Sequence, residues 1–271
     1  MSVKCLSVPS VLAVLMMCSA QAALVAHWDL EEGTGATTSD QVSTTAGALG
    51  TGVSWSTDTP GAASDYSLSF PNTTAGFVGT TLNATDMGIS GTGAKTILGW
   101  FKTTSQEQQM FFGYSPSNGT GAGQDLRLGH DASGYLRFEV SSGFALYNGK
   151  TLDDGAWHMA AVIISADDTT STVDFYLDGD LLTPTSSITR TINTLGASSL
   201  GANFDQVVLG NGNPTSLTQT WDGFIDEVRV YNTALTETEL DSIYAAIPEP
   251  ATFGLVGLMG LACLVRRRIR G

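Results

Sequence analysis

The chain has 271 residues, of which 42% are hydrophobic and 14% charged, and its formal net charge at pH 7 is −14. Lys4 and four terminal arginines account for five of the twelve basic residues, and Glu249 for one of the 26 acidic ones, so the body between them carries −18. Such a body would repel a phosphate backbone, which argues against nucleic acid as a partner. All three cysteines lie in the terminal segments, which excludes a disulfide, a thiol nucleophile or a Cys-ligated zinc in the body.

Residues 1–22 have the layout of a signal peptide. A single Lys4 precedes an apolar stretch from Val11 to Met17, and the segment ends in the small-x-small pattern Ala20-Gln21-Ala22. The apolar stretch is too short to span a bilayer permanently. A lipoprotein site at Cys18 is disfavoured, because Met17 stands where a small residue is expected. We predict cleavage after Ala22 and export.

The body, residues 23–246, shows short β-type runs about ten residues apart, separated by Gly, Asn, Asp, Ser and Thr. Even spacing of this kind predicts a single all-β sandwich or barrel. Segments 32–64 and 115–124 are predicted to be loop-like. The predicted strands are Leu24–Glu31, Tyr66–Phe70, Lys95–Lys102, Gln109–Tyr114, Asp125–His130, Tyr135–Val140, Trp157–Ser165, Thr172–Leu177, Asp205–Gly210 and Gly223–Tyr231.

Three local patterns add detail. Asp178-Gly179 lies between two apolar runs and predicts a tight hairpin, because glycine tolerates positive φ. Thr236 and Glu239 form a capping box that predicts a short helix, Glu237–Ala245. In the last predicted strand, alternation would place the even-numbered residues from Phe224 to Val230 on one face and the odd-numbered ones on the other.

Five segments of the body, in chain order, resemble the laminin-G-like, concanavalin-A-like jelly-roll domain. They are LVAHWDLEEGTGATTSD, SLSF, TILGWFKTT, GAWHMAAVIISADDTTSTVDFYLDGDLL and GFIDEVRVYNTALTETELDSIYA. The resemblance implies two stacked antiparallel sheets of roughly six or seven strands each. It does not imply an activity, since the same sandwich carries lectins, adhesion and structural modules, and glycosidases.

Catalytic motifs are missing from the sequence. The laminarinase branch of this fold places its carboxylates in a Glu-x-Asp-x-x-Glu string, which does not occur here. The histidines His27, His130 and His158 are scattered without metal-ligand spacing. His158, next to Trp157, is expected to pack or to form hydrogen bonds. We therefore expect a protein that is not an enzyme.

Calcium is the metal that the resemblance implies, as a structural ion near the first and last strands. The matching acidic positions are Glu32, Asp40 and Asp226, which offer the oxygen ligands that Ca²⁺ prefers. The alternative is that Asp40 caps a turn and that Asp226 bonds to the backbone.

Sugar binding would require aromatic rings on an exposed rim. Trp55, Tyr114 and Tyr147 lie in or beside loops and could reach a ligand; the alternative, which is favoured, is that they pack the loops. Three other tryptophans fall in predicted strands and are expected in the core: Trp28, Trp100 and Trp157.

The C-terminal segment, residues 247–271, has three parts. Pro248-Glu249-Pro250 precedes an uncharged apolar run over 251–265, and Arg266, Arg267, Arg268 and Arg270 follow. The run is shorter than the ~20 residues of a comfortable span, and the arginines predict a stop signal that keeps the C-terminus in the cytoplasm.

This layout resembles the PEP-CTERM sorting signal of Gram-negative-type bacteria. The resemblance implies transient residence in the inner membrane and recognition of the Pro-Glu-Pro triplet by an exosortase, a membrane-embedded cysteine protease. It also implies delivery to the cell surface or an exopolysaccharide matrix. The alternative is a plain single-span anchor.

Three hypotheses for function follow. The first is an exported, non-catalytic surface or matrix protein that binds glycan or protein, and the missing carboxylate pair favours it. The second is a secreted carbohydrate-active enzyme of the same fold. The third is a purely structural matrix component.

Overall fold

The computed structural model of this protein describes residues 22–114, 121–196, 206–212 and 219–247. The predicted signal peptide up to residue 21 and the predicted sorting signal from residue 248 lie outside these ranges, so neither predicted terminal membrane helix is described. In the ranges that are described, no helix has the length and apolarity needed to cross a membrane.

The described residues form short strands and one helix. In chain order the elements are β1 (Leu24–Trp28), β2 (Thr37–Ser39), β3 (Ala46–Leu49), β4 (Ser54–Ser56), β5 (Ser67–Pro71), β6 (Val78–Gly79), β7 (Lys95–Lys102), β8 (Gln109–Tyr114), β9 (Leu126–His130), β10 (Tyr135–Val140), β11 (Gly143–Thr151), β12 (Trp157–Ile164), β13 (Asp174–Leu177), β14 (Asp180–Leu182), β15 (Ser186–Ile188), β16 (Val207–Leu209), β17 (Asp222–Tyr231) and α1 (Glu237–Ala246).

The strands pair in two antiparallel sheets. An eight-stranded sheet runs in the order β14-β13-β12-β7-β17-β5-β4, and β1 pairs with the remaining edge of β17. A nine-stranded sheet runs β15-β11-β10-β9-β8-β16-β6-β3-β2. This confirms the all-β, two-sheet antiparallel jelly-roll sandwich. The sheets have more strands than predicted: β2, β3 and β4 lie in the segment that was predicted to be loop-like, and β6, β11, β14 and β15 lie outside the predicted strands.

The last strand is the centre of the eight-stranded sheet. One edge of β17 pairs with β7, while the other edge is shared by β5 and β1. Its register shifts between Asp226 and Arg229, where Glu227 has a φ of 51°. Because this bulge inserts a residue, Ile225 lies in the same core cluster as Val228 and Val230. The strict alternation predicted from the sequence is therefore wrong for this strand.

The inner core lies between the two sheets. Phe101 and Phe111 stack with ring centroids 5.2 Å apart, and Trp221 meets both rings edge-on. Trp28 is fully buried in this core, as predicted.

A second apolar cluster, here called the outer cluster, covers the outer face of the eight-stranded sheet. It contains Leu98, Trp100 and Met159 from the sheet and Leu240 from α1. Tyr244 of the helix stacks on Trp100 at 5.6 Å with an interplanar angle of 9°. Trp100 is thus buried as predicted, but beneath the helix rather than between the sheets.

The local predictions for the turn and the helix are confirmed. Asp178 and Gly179 both have positive φ, 53° and 90°, in the turn between β13 and β14. Thr236 caps α1 and forms the predicted capping box with Glu239. The helix extends one residue further than predicted, to Ala246.

Candidate functional site

A pocket opens on the outer face of the eight-stranded sheet, just beyond the outer cluster. Along β7 this face carries Leu98 and Trp100 under the helix and then Lys102. In the sheet, Lys102 lies opposite Trp157 of β12 and Phe224 of β17. Because alternate residues of a strand share a face, these three side chains lie on the same outer face, beyond the part that the helix covers.

The cavity here, called the outer pocket, has a volume of about 230 Å³. Its polar lining comes from Ser69, Lys102, Thr103, Thr104 and Asp222. Gly223, with a φ of 134°, belongs to its wall, and a side chain there would collide with the carbonyl oxygen of Lys102. Glycine is therefore required for β17 to approach β7 at the pocket.

Two half-buried aromatic rings stand beside a fixed ion pair. The Lys102 Nζ lies 2.6 Å from Asp58 Oδ2, and Trp157 Nε1 donates to Asp58 Oδ1 at 2.9 Å. The rings of Trp157 and Phe224 are 6.3 Å apart and inclined by 46°, and Lys102 Nζ lies 5.7 Å from the Phe224 centroid. The side chain of Asp58 is 39% exposed, so the pair contributes little to stability and stays accessible to a ligand.

Sequence reasoning missed this site. Trp157 was predicted to lie in the core but is only half-buried, because its strand has one face outside the sandwich. Asp58 lies in the segment that was predicted to be loop-like. The apolar runs of β7 and β12 indicate strands buried on both faces. Lys102, a charged residue at the end of one run, was the available signal that the outer face becomes accessible there.

The aromatic residues predicted to bind sugar do not form a common surface. Tyr114 is fully buried, and its hydroxyl donates to the Leu195 carbonyl at 2.7 Å, so its prediction as a ligand-stacking residue is wrong. Trp55 and Tyr147 are partly buried against the inner core. They lie on different sheets, on β4 and β11, and Trp55 Nε1 donates to the Gly35 carbonyl.

The predicted calcium ligands are engaged in separate hydrogen bonds. Asp40 accepts backbone N–H groups from His27 at 2.6 Å, Val42 at 3.1 Å and Ser43 at 2.8 Å, as expected of a turn cap. Glu32 accepts the Ser39 N–H at 2.7 Å. Across the described part of the chain, no group of three or more His, Cys, Asp or Glu residues could hold a metal ion. Calcium binding by these residues stays a prediction that this arrangement does not support.

The third predicted ligand, Asp226, is fully buried. Ser64 Oγ lies 2.6 Å from Asp226 Oδ2 and 2.6 Å from Glu31 Oε1. A serine hydroxyl has one proton, so both contacts are hydrogen bonds only if one carboxyl is protonated. Burial raises the pKa of Asp226 well above its ordinary value, and the charges of Glu227 and Glu31 raise it further. We therefore infer that Asp226 is the protonated carboxyl, so that Asp226 donates to Ser64 Oγ and Ser64 donates to Glu31.

His158 lies between two carboxylates. Its Nδ1 is 2.8 Å from Asp178 Oδ2 and its Nε2 is 3.2 Å from Asp154 Oδ1, with Lys150 also on Asp178. Burial alone would lower the pKa of His158, but the hydrogen bond and charge of Asp178 outweigh it and raise that pKa above 6.5. The hydrogen-bonding role predicted for this histidine is confirmed by this geometry.

Asp226→Asn tests the neutral carboxyl. An amide can donate to Ser64 and accept the Glu227 N–H, so we expect this variant to lose less than about 1 kcal/mol of unfolding free energy. Asp226→Ala leaves buried partners unsatisfied and should lose about 2–4 kcal/mol. Urea unfolding followed by tryptophan fluorescence measures both. An Asn variant as unstable as the Ala variant, or a melting point lowered by EDTA in the unaltered chain, would contradict the assignment and favour a bound cation.

His158→Gln tests the histidine pair through pH. A pKa raised by folding means that the stabilisation is complete below pH 6.5 and is lost as pH rises through the folded-state pKa. We expect the variant to lose about 1–3 kcal/mol near pH 6 and progressively less at higher pH. His130, whose pKa burial lowers, is present in both proteins and cancels in the difference. Histidine titrates between pH 5.5 and 8. If the difference in unfolding free energy between the two proteins stays constant over that range, His158 is not charged in the folded chain.

Comparison with known proteins identifies two parts of the chain. The sequence profile of the concanavalin A-like lectin/glucanases superfamily, of laminin G type, matches residues 75–241. The profile of the PEP-CTERM protein-sorting motif matches residues 246–270. No curated protein sequence matches this chain.

Solved structures with a similar fold include parts of enzymes and toxins. Domain 4 of AbnA, a GH43 extracellular arabinanase from Geobacillus stearothermophilus in complex with arabinotriose, has a TM-score of 0.55 at 18% identity, covering 82% of this chain and 98% of that one. The botulinum neurotoxin serotype D/C binding domain has a TM-score of 0.55 at 11% identity, covering 83% of this chain and 52% of that one. Trypanosoma rangeli sialidase has a TM-score of 0.52 at 12% identity, covering 82% and 32%.

This chain thus spans about half of the toxin domain and a third of the sialidase. At these identities the likeness concerns the fold alone. The superfamily profile, by contrast, covers more than half of the 271 residues and agrees with the two-sheet antiparallel sandwich. On this evidence the chain belongs to the concanavalin A-like lectin/glucanase superfamily and carries a PEP-CTERM sorting motif at its C-terminal end.

Proposed function

We propose that this protein is exported, processed by an exosortase-type protease and delivered to the cell surface or an extracellular matrix, where its jelly-roll domain binds carbohydrate without catalysing a reaction. The observation that carries the proposal is the outer pocket, whose lining includes Lys102 and the half-buried ring of Phe224, with Trp157 and Asp58 directly beside it. An exopolysaccharide or surface glycan is the partner that this chemistry fits.

The lining of the outer pocket suits a sugar ring. The apolar C–H faces of a sugar pack on aromatic rings, and its hydroxyls both donate and accept hydrogen bonds. Phe224 and Lys102, which line the pocket, supply a ring and a donor, and the neighbouring Trp157 and Asp58 supply a second ring and an acceptor. The cavity is smaller than the ~300–1,000 Å³ of most small-molecule sites, so it favours one sugar ring at a chain end over the middle of a polysaccharide.

The comparisons support sugar binding without assigning it. The similar fold of the arabinanase domain was solved in complex with arabinotriose, which shows that a sandwich of this shape can hold a sugar. Members of one fold differ in function, and the ligand of this chain has to follow from its own pocket.

Binding without catalysis is the simpler proposal for this pocket. A glycosidase needs a carboxylic acid and a carboxylate placed across the scissile bond. Asp58 is ion-paired to Lys102 and holds Trp157 in place, which suits a binding role. Reducing-sugar release from polysaccharides would instead favour the carbohydrate-active enzyme, the alternative hypothesis. Absence of both release and sugar binding would leave a protein-binding or structural role.

The sorting part of the proposal rests on the matched motif. Pro248, Glu249 and Pro250 would be the recognition residues, and Arg266, Arg267, Arg268 and Arg270 would hold the C-terminus on the cytoplasmic side until cleavage. The chain would therefore be exported through the inner membrane, anchored there transiently through residues 251–265 and released to the surface.

A glycan array with matched variants tests the outer pocket. Phe224→Ala removes a stacking ring, so we expect its affinity for the bound glycan to fall about tenfold. Trp157→Phe keeps a ring but loses the hydrogen bond to Asp58, so its affinity for the glycan should fall less than that of Phe224→Ala. Tyr147→Ala is the control, because it removes a half-buried ring from the other sheet. If the Phe224 and Tyr147 variants bind the glycan equally well, the glycan does not bind at the outer pocket.

Intact-mass measurement tests the sorting. We expect the protein released at the cell surface to lack the segment from Arg266 to Arg270, because cleavage at the triplet separates the tail from the domain. A released product that retains those arginines would show that the tail is a plain membrane anchor.

A further inference from the structure

The outer pocket contains a carboxylate that the fold does not use. Asp222 is exposed at the start of β17 and lines the pocket. Its backbone carbonyl accepts the Thr103 hydroxyl at 2.6 Å, but its carboxylate forms no hydrogen bond or ion pair with any residue that the structure describes. The other carboxylate at the site, Asp58, is held by Lys102 and Trp157. The carboxylate of Asp222 is therefore the one that is available to a ligand.

Asp222 stands on the same face of the sheet as the ring of Phe224. Gly223, between them, lies opposite Phe70 of the inner core, with no shift of register along this part of β17. Because alternate residues of a strand share a face, Asp222 and Phe224 both face outward, about 7 Å apart. A sugar ring packed on Phe224 would thus have Lys102 beside it on the neighbouring strand and Asp222 further along its own strand.

The charges at the pocket do not balance. Lys102 and Asp58 neutralise each other at 2.6 Å, so the carboxylate of Asp222 leaves the site with a net negative charge. An acidic sugar would have to face that charge, and to break the ion pair in order to reach Lys102, which is unfavourable. An ammonium group would instead donate a charge-assisted hydrogen bond to Asp222, and the ring of Phe224 would attract it further.

The charge of the whole body favours the same kind of ligand. With a net charge of −18, the body attracts a positively charged glycan over a long range and repels an acidic one. This attraction does not distinguish one position of the glycan from another. Selection of a particular sugar ring therefore has to come from the pocket.

We propose that the outer pocket selects a sugar ring that carries an unacetylated amino group, such as glucosamine, with the ring on Phe224 and the ammonium group at Asp222. The inference rests on the proposed binding of carbohydrate at this pocket and adds the class of sugar. Asp222 is the residue that determines specificity, while Phe224 and Lys102 contact any sugar that enters.

Binding to a matched set of immobilised glycans tests the selection in the unaltered chain. The probes end in glucosamine, N-acetylglucosamine, glucose or glucuronic acid on one common linker, and the set is repeated for the galactose and mannose series. We expect the amino sugar to bind about fivefold more tightly than the acetylated and neutral sugars, which is the effect of one partly exposed ion pair. The acidic sugar should bind most weakly.

Three variants show whether Asp222 is responsible. Asp222→Asn removes its charge and should bring the ratio of the affinities for the amino and acetylated sugars close to one, whereas Asp222→Glu should restore most of the preference. Asp180→Asn is the matched control, because Asp180 is exposed on β14, at the far edge of the same sheet. It removes the same charge from the body and should leave the ratio unchanged.

The outcomes separate this inference from the proposed function. A ratio of one in the unaltered chain, or a preference for the neutral or acidic sugar, would overturn the selection and leave carbohydrate binding in place. An equal fall of the ratio in the Asp222→Asn and Asp180→Asn variants would also overturn it, because the preference would then come from the charge of the body. If no sugar of any series binds, the proposed carbohydrate binding itself fails.

Discussion

The eight-stranded sheet has to bury both of its faces, and most features of this protein depend on that requirement. Its central strands β7 and β12 are almost entirely buried along their length, as expected of strands covered on both sides. The nine-stranded sheet covers the inner face. On the outer face the only helix in the described chain, α1, covers the apolar residues around Trp100. The helix stays packed on that face because exposing its apolar residues to water is unfavourable.

The proposed binding site arises where this cover ends. Beyond Trp100, on which Tyr244 of α1 stacks, β7 continues to Lys102, which lies beside the rings of Trp157 and Phe224. These two rings are half-buried and extend the outer face past the part that the helix covers.

Buried polar groups fix the corners of the sandwich. The Glu31–Ser64–Asp226 network links the end of the first strand, a loop and the last strand, while His158 links the hairpin at Asp178 to the loop at Asp154. Both networks are fully hydrogen-bonded only in one protonation state, because carboxylate oxygens cannot donate. Both networks therefore lose stability as pH rises, because each needs the protonated form: a neutral acid in one case and a charged imidazolium in the other.

The hairpin, the helix and the long strands other than β11 were predictable because their signals are local. An apolar run such as 97–101, an Asp-Gly pair and a capping box each act through residues close in sequence. The short strands β2, β3 and β4 contain mainly Thr, Ser, Gly and Ala, and they exist because distant strands offer pairing partners. The faces of β17 were mispredicted because one bulge at Glu227 reverses the alternation.

The sequence by itself determined the sandwich class, the superfamily resemblance, the acidic body without cysteines and the three-part tail, since composition, strand spacing and terminal motifs are written along the chain. Only the tertiary structure decided that Glu31 and Asp226 meet at Ser64, that Tyr114 is core, that Asp58 meets Trp157 and that Ile247 is buried. Each of these depends on contacts between residues far apart in sequence, such as the pair 58 and 157. Burial and pairing of that kind follow from how two sheets and a helix pack, which no local pattern encodes.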